Sequence, residues 1–233
     1  MSSETDREQA IRETPVGGGG SSPVGTPGRN GADVGRRGAE QEQPAREAAN
    51  PTEQLIPLID EYRRRTPGAG DISGRFLSFL RAVPEPFSRA TATGHVTGSA
   101  FITDASRTRL LLVHHAKLDK WLQPGGHCEP GETALDAALR EAFEETGVRG
   151  IPLLDGAIFD LDAHRIPARD DAPEHTHWDV RFLLVAGEGG VRVSEESRAV
   201  EWTSLDEALR RNPEESMRRP VAVLRALGDA AVG

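Results

Sequence analysis

Residues 126–148 read Gly126-His127-Cys128-Glu129-Pro130-Gly131-Glu132, then seven residues, then Arg140-Glu141-Ala142-Phe143-Glu144-Glu145-Thr146-Gly147-Val148. The second part predicts a helix. At 100° per residue, Glu141, Glu144 and Glu145 fall within an arc of about 100°, so their carboxylates project from one side. Leu135, Leu139, Ala142, Phe143 and Thr146 cluster on the other side and predict a core face. Ala134 and Ala137 share the glutamates' arc, where small residues leave that face uncluttered. The acidic face is badly placed for stability. Like charges at i,i+3 and i,i+4 repel, and these lie in the last turns, where the helix dipole favours cations. Gly147 reads as the left-handed residue that closes the helix. A hard divalent cation reverses the sign of that cost, because Mg²⁺ takes one or two carboxylates and completes its shell with water and phosphate oxygens. A solvated acidic face is the ordinary reading of a charge run. The position, the dipole and the glycine-rich entry argue against it here.

The entry supplies the rest of a site. Pro124-Gly125-Gly126 and Glu129-Pro130-Gly131-Glu132 are turn chemistry, in which glycine lets backbone approach a ligand and proline fixes the path. The loop ends where the helix begins, so free N–H groups and the positive end of the dipole face the same region. Glu132 and Arg140 are read as an ion pair bracing loop against helix, a structural role shared with Gly147.

The segment resembles the Nudix box, Gx5Ex7REUxEExGU with U bulky or apolar, and every fixed position is filled, Ala142 being a small occupant of an apolar slot. Trp121-Leu122-Gln123-Pro124-Gly125-Gly126 is also typical of that family, as is Glu201-Trp202 followed by Ser204-Leu205-Asp206-Glu207-Ala208. The resemblance covers roughly residues 93 to 210 and is far more specific than a lone glycine motif. It implies an α/β fold, an α/β/α sandwich around a mixed sheet, and hydrolysis of a small-molecule diphosphate. It also implies that Glu141, Glu144 and Glu145 hold Mg²⁺ or Mn²⁺, with the Gly126 carbonyl as a further ligand.

The mechanism expected from that resemblance is in-line attack of activated water on phosphorus. Glu144, at the edge of the arc, is the candidate base, with Glu174, Glu195 and Glu196 as candidates outside the box. Lys120, Trp121 and His177 are candidate substrate contacts. Three specificity marks of the family are missing. The Tyr expected of dinucleoside polyphosphate enzymes is replaced by His164-Arg165-Ile166, Ala163 stands where ADP-ribose hydrolases tend to have Pro, and the NADH-type SQPWPFPxS string is absent. Nucleoside triphosphates, nucleotide sugars and other organic diphosphates remain. Two other classes compete: a non-catalytic nucleotide sensor, and an isomerase of isoprenoid diphosphates, which needs a nucleophilic cysteine. The intact box argues against the first and the context of Cys128 against the second.

Composition frames this reading. The formal net charge of −9 argues against nucleic acid as a partner, since binding phosphate backbones needs a basic footprint. No long apolar run exists, and the N-terminus lacks a basic-then-apolar leader pattern, so a cytoplasmic location away from membranes is expected. Cys128 is the one cysteine, which fits a reducing compartment and reads as a passive loop residue. Residues 1–50, rich in Gly, Pro, Ser and mixed charge, read as a disordered tail. Residues 51–90 read as an N-terminal helical segment and 91–228 as the catalytic domain.

Within the helical segment, Asn50, Pro51 and Glu53 read as cap, N1 and capping-box residues of a first helix that Pro57 should kink or restart. Asp71 is expected to cap a second helix, stopped by Pro84. The pair is expected to pack on the catalytic domain or at a homodimer interface. Strands are expected at His95 to Thr103, Arg109 to His115, Ala157 to His164, Val180 to Ala186 and Ala199 to Thr203, with helices from Leu205 to Arg211 and Pro213 to Leu227, the last kinked at Pro220. All seven histidines lie between His95 and His177. His175 and His177 should share one side of a strand. With no carboxylate or cysteine completing a zinc signature, substrate contacts or local hydrogen bonds are favoured there over a second metal.

Overall fold

The computed structural model describes residues 50–168 and 173–229. The reading of residues 1–50 as a tail falls, Asn50 apart, outside them. The chain opens with α1 (Pro51–Arg65) and α2 (Gly70–Ala82), followed by β1 (Gly94–Thr103), β2 (Arg109–His115), β3 (Lys120–Leu122) and β4 (Gly125–His127). After α3 (Ala134–Thr146) come β5 (Gly150–Pro152), a short 3-10 turn, β6 (Ile158–Ile166), β7 (His175–Ala186), β8 (Ser197–Ser204), α4 (Leu205–Arg211) and α5 (Glu215–Asp229).

All eight strands join one mixed sheet. β1 runs parallel to β7 along its whole length, from Gly94 opposite Thr176 to Thr103 opposite Val185. The other pairings are antiparallel, and β2 and β4 take β1 at Ile102–Thr103 and at Thr97–Ser99 respectively. The even-numbered positions of β1, such as Val96, Ala100 and Ile102, join a core with α1, α2 and α3, while Phe101 joins Leu110, Leu112 and residues of α5. Helices therefore cover both faces of the sheet, which makes the fold an α/β/α sandwich.

Why α3 sits where it does follows from its smallest side chains. Ala134, Ala137, Ala138, Ala142 and Thr146 are its buried residues. This corrects the expected faces: Leu135, Leu139 and Phe143 are only partly buried, and Ala134 and Ala137 face the sheet. The strand beneath is pared down to match, since a Cβ on Gly98 would lie 2.1 Å from the Ala134 carbonyl oxygen. Backbone thus packs on backbone. Thr133 caps the helix with a capping box to Asp136, and Gly147 closes it at φ 74°, its N–H donating to the Phe143 carbonyl at 2.8 Å.

The N-terminal helices pack on the sheet. Trp178 of β7 stacks on Phe79 of α2 at 4.6 Å between ring centroids and meets Phe76 edge-on at 5.0 Å. α1 begins at the expected cap, Asn50 accepting from the Thr52 N–H at 2.9 Å. It runs through Pro57 without the expected restart. Its buried Leu55, Ile59 and Tyr62 anchor both sides of that proline, so tertiary packing outweighs one missing hydrogen bond. α2 starts at Gly70, not after an Asp71 cap; Asp71 lies in the first turn, where its charge favours the dipole. α5 likewise begins at Glu215, two residues beyond Pro213, with Asn212 accepting from the Glu214 N–H at 3.1 Å.

Candidate functional site

Arg140 is the hub of the loop and helix. Its Nε and Nη2 donate to the two Glu132 oxygens at 2.9 Å each, Nη2 also reaches the His127 carbonyl at 2.8 Å, and Nη1 donates to Glu141 at 2.9 Å and Glu144 at 3.1 Å. Glu132 in turn accepts from the Glu129 N–H at 2.8 Å, closing the turn around Pro130 and Gly131. One guanidinium therefore pins the turn, the end of β4 and the first two glutamates of the helix. It holds Glu132 below the usual carboxylate range.

The glutamates are not equivalent. The Glu144 side chain is 55% exposed and that of Glu141 17%. Glu141 lies so close to β4 that a Cβ on Gly126 would sit 2.2 Å from its Oε1. Glu145 is partly buried in the same region and accepts from the Gly125 N–H. Burial, followed by the charges of Glu141 and Glu196, pushes the Glu145 carboxyl up to about 8. Burial also raises Glu141, against the pull of Arg140. Of the glutamates considered outside the box, Glu196, just before β8, faces Glu141 and Glu145 electrostatically, whereas Glu174 pairs with Arg165.

Glu141, Glu145, the Gly126 backbone and Glu196 thus form one oxygen-rich cluster with Glu144 at its rim. Arg140, already committed to Glu132, is the cation in direct contact with it among the described residues. Partial burial and crowding disfavour the charged forms of Glu141 and Glu145, a cost that a countercharge relieves. The donor set is all oxygen, which suits a hard divalent cation. The close approach of α3 to the sheet leaves Glu145 partly buried.

A family model described as NUDIX domain matches residues 94–224. The chain belongs to the Nudix family. Among curated Nudix relatives, a bis(5'-nucleosyl)-tetraphosphatase [asymmetrical] from Rattus norvegicus is 35% identical over 98 residues, 41% of this chain and 60% of the relative. A probable DHNTP pyrophosphohydrolase from Lactococcus lactis subsp. cremoris is 34% identical over 89 residues, 37% of this chain and 52% of the relative. An m7GpppN-mRNA hydrolase NUDT17 from Danio rerio is 37% identical over 83 residues, 34% of this chain and 27% of the relative. The chain therefore spans 60% or less of the length of these relatives. Among solved structures, a NUDIX-family hydrolase from Clostridium perfringens is 25% identical with a TM-score of 0.43, over 57% of this chain and 97% of that one. The Nudix match begins at the first strand, downstream of α1 and α2.

Other residues singled out in the sequence fall elsewhere on this Nudix scaffold. Lys120 pairs with Glu214. The Trp121 ring stacks on His114 at 4.9 Å and carries the Arg211 guanidinium at 4.2 Å. These contacts tie β3 to the segment around α4 and α5. Cys128 is buried, and burial pushes its thiol up to about 12, with the Glu132 charge acting in the same direction. It is a core residue.

The histidines form a feature that sequence reasoning underrated. His95, His127, His175 and His177 converge from β1, β4 and β7, with the His95 ring 4.9, 5.0 and 4.9 Å from those of His127, His175 and His177. Strand register accounts for it: His95 lies opposite His177, and His127 opposite Thr97, so alternate residues project to one face. Burial lowers His95 and His127 to about 4 and His177 to about 2, their mutual proximity adding to it, and Arg89 acts in the same direction on the first two. Further along the same face, Thr97 and Ser99 donate to Asp179 at 3.1 and 2.9 Å, and Arg181 bridges Asp179 and Asp160 at 2.8 and 3.0 Å. The signal lay in the shared alternation of His95, Thr97, Ser99 and His175, His177, Asp179, legible only once the two strands are paired.

Proposed function

We propose that the chain is a divalent-cation-dependent hydrolase that cleaves the diphosphate bond of a small organic diphosphate by attack of water at phosphorus. The observation that carries this is the crowding of carboxylates where α3 meets β4: Glu141 lies against Gly126, and Glu145, partly buried and facing the charges of Glu141 and Glu196, is pushed up to about 8. A purely structural helix gains nothing from such crowding, whereas a cation site needs it. Glu141, Glu144, Glu145 and the Gly126 carbonyl would hold Mg²⁺ or Mn²⁺. When bound, the cation neutralises phosphoryl oxygen charge and acidifies water.

The protein's own residues supply positioning and proton transfer. Arg140 fixes the Glu141 carboxylate and the His127 carbonyl, which holds the end of β4 against the helix. Glu144, half-exposed and held by one contact to Arg140, is free to turn toward solvent and accept the proton of the attacking water. Glu196 is the competing base, favoured by its approach to Glu141 and Glu145. His177 contacts substrate in this reading only if the histidine face extends the site; Lys120 and Trp121 keep a weaker claim, being engaged with Glu214, His114 and Arg211. The enzymes to which the chain is similar are named for substrates with a phosphoanhydride chain on a nucleoside or pterin, which sets the substrate class to be screened.

An isoprenoid-diphosphate isomerase has no nucleophile here, because the Cys128 thiol is buried and raised. A phosphate-release screen over nucleoside triphosphates, nucleotide sugars, dinucleoside polyphosphates, cap analogues and dihydroneopterin triphosphate, with Mg²⁺ or Mn²⁺, tests the proposal. Turnover of at least one class, abolished by EDTA and by Glu145→Gln, is the expected result. Nucleotide binding without any turnover would instead make the chain a sensor.

A further inference from the structure

His95 is the most unusual side chain of the sheet. It is 3% exposed, and among the described residues neither ring nitrogen has a hydrogen-bond partner of good geometry. Buried polar groups are paired with protein, water or a ligand; the Thr91 backbone reaches one side of the His95 ring without good hydrogen-bond geometry, so a nitrogen left over in a closed place calls for an occupant. The nitrogens of His95, His127 and His177 that could serve as ligands lie within 4.8 Å of one another. His175 stands beside them, its Nε2 3.3 Å from that of His177. Two nitrogens of a tetrahedral zinc site, each about 2.0–2.1 Å from the ion, are separated by about 3.3 Å, the spacing of His175 and His177, and closure of the other three onto an ion needs only a small shift from within 4.8 Å.

We propose that His95, His127 and His177, with His175 as fourth donor, form a binding site for a borderline divalent transition metal, zinc foremost. The chemistry separates this site from the glutamate cluster. Imidazole nitrogens suit Zn²⁺, whereas Mg²⁺ demands oxygen. The second coordination shell is in place for at least one donor: His175 Nδ1 lies 2.8 Å from the Pro173 carbonyl, so it carries the proton and leaves the Nε2 lone pair aimed at the cluster. The three core ligands come from β1, β4 and β7, so one ion would tie the short β4 to two long strands. It would thereby anchor Gly126, the residue before His127, whose side of the strand faces Glu141. The site stands independently of the proposed hydrolase reaction.

Metal-stripped full-length protein titrated with Zn²⁺ by calorimetry, and with Co²⁺ by visible absorption, tests it. The expected result is one equivalent of either ion and the intense ligand-field bands of four-coordinate Co²⁺, retained in Glu141→Gln and Glu145→Gln and weakened at least tenfold in His127→Gln and His177→Gln. X-ray absorption of zinc-loaded wild type removes any dependence on how the histidine variants fold, and should show imidazole scattering from a nitrogen shell at about 2.0–2.1 Å. Absence of stoichiometric binding, an oxygen shell without imidazole scattering, or binding that follows the glutamates instead of the histidines would overturn the proposal. The cluster would then be neutral packing.

Discussion

At the residue scale, two positions carry most of the account. Burial, with the charges of Glu141 and Glu196, pushes the Glu145 carboxyl up to about 8 in the folded chain against an ordinary 4.5. Between those values the folded state binds more protons than the unfolded one, so this group's contribution to stability falls as pH rises through that window. The buried histidines act in the opposite sense below their ordinary 6.5, since the unfolded chain takes up their protons first. The difference between wild type and Glu145→Gln isolates the carboxylate: without metal, denaturation midpoints should diverge in favour of the variant from about pH 5 to 8. Parallel pH profiles would mean that Glu145 is not crowded. Gly126 offers a second test. A methyl group there meets the end of the flexible Glu141 side chain, so Gly126→Ala should fold normally while magnesium affinity, read by calorimetry, drops at least tenfold.

At the element scale, Arg140 holds loop to helix through three of its five side-chain hydrogen bonds, the other two going to Glu141 and Glu144 on its own helix. Arg140→Met strands Glu132 and frees the turn, at an expected cost of about 2–3 kcal/mol by urea denaturation with activity nearly lost. A cost under about 0.5 kcal/mol would show the network to be ornamental. Glu132, Arg140 and Gly147 were legible in the sequence, because a turn leading straight into a helix, the pair of charges across it and helix closure are all local. The burial of Ala134 and Ala137 was not, because helical periodicity cannot say that Gly98 on another strand permits contact between backbones. For the same reason β7 was read from Val180 when it begins at His175: polar residues alternating at its start look like loop until β1 and β6 pair with them. The short β3, β4 and β5 were missed as well, Gly125 and Gly126 of β4 being read as turn residues.

At the scale of the whole molecule, the sheet joins a helical cap to a charged site. No helix among the described residues is long and apolar enough to cross a membrane. Phe76 is fully buried against Trp178, so Phe76→Ala should cost about 3–5 kcal/mol and shift the tryptophan emission to the red. An unchanged spectrum would mean that α2 does not cover β7. The central claim is that Glu141, Glu144, Glu145 and the Gly126 carbonyl hold a hard divalent cation. A ligand that binds only the folded state at a hundredfold excess over its Kd stabilises by about 2.7 kcal/mol, which for a chain of this size raises the thermal midpoint by about 5–10 °C. Thermal scans of wild type and Glu141→Gln in EDTA and in saturating magnesium test this most directly. The account predicts a rise of that size for wild type, almost none for the variant, and a variant no less stable than wild type in EDTA. A wild type indifferent to magnesium, or a variant that collapses in EDTA, would contradict it.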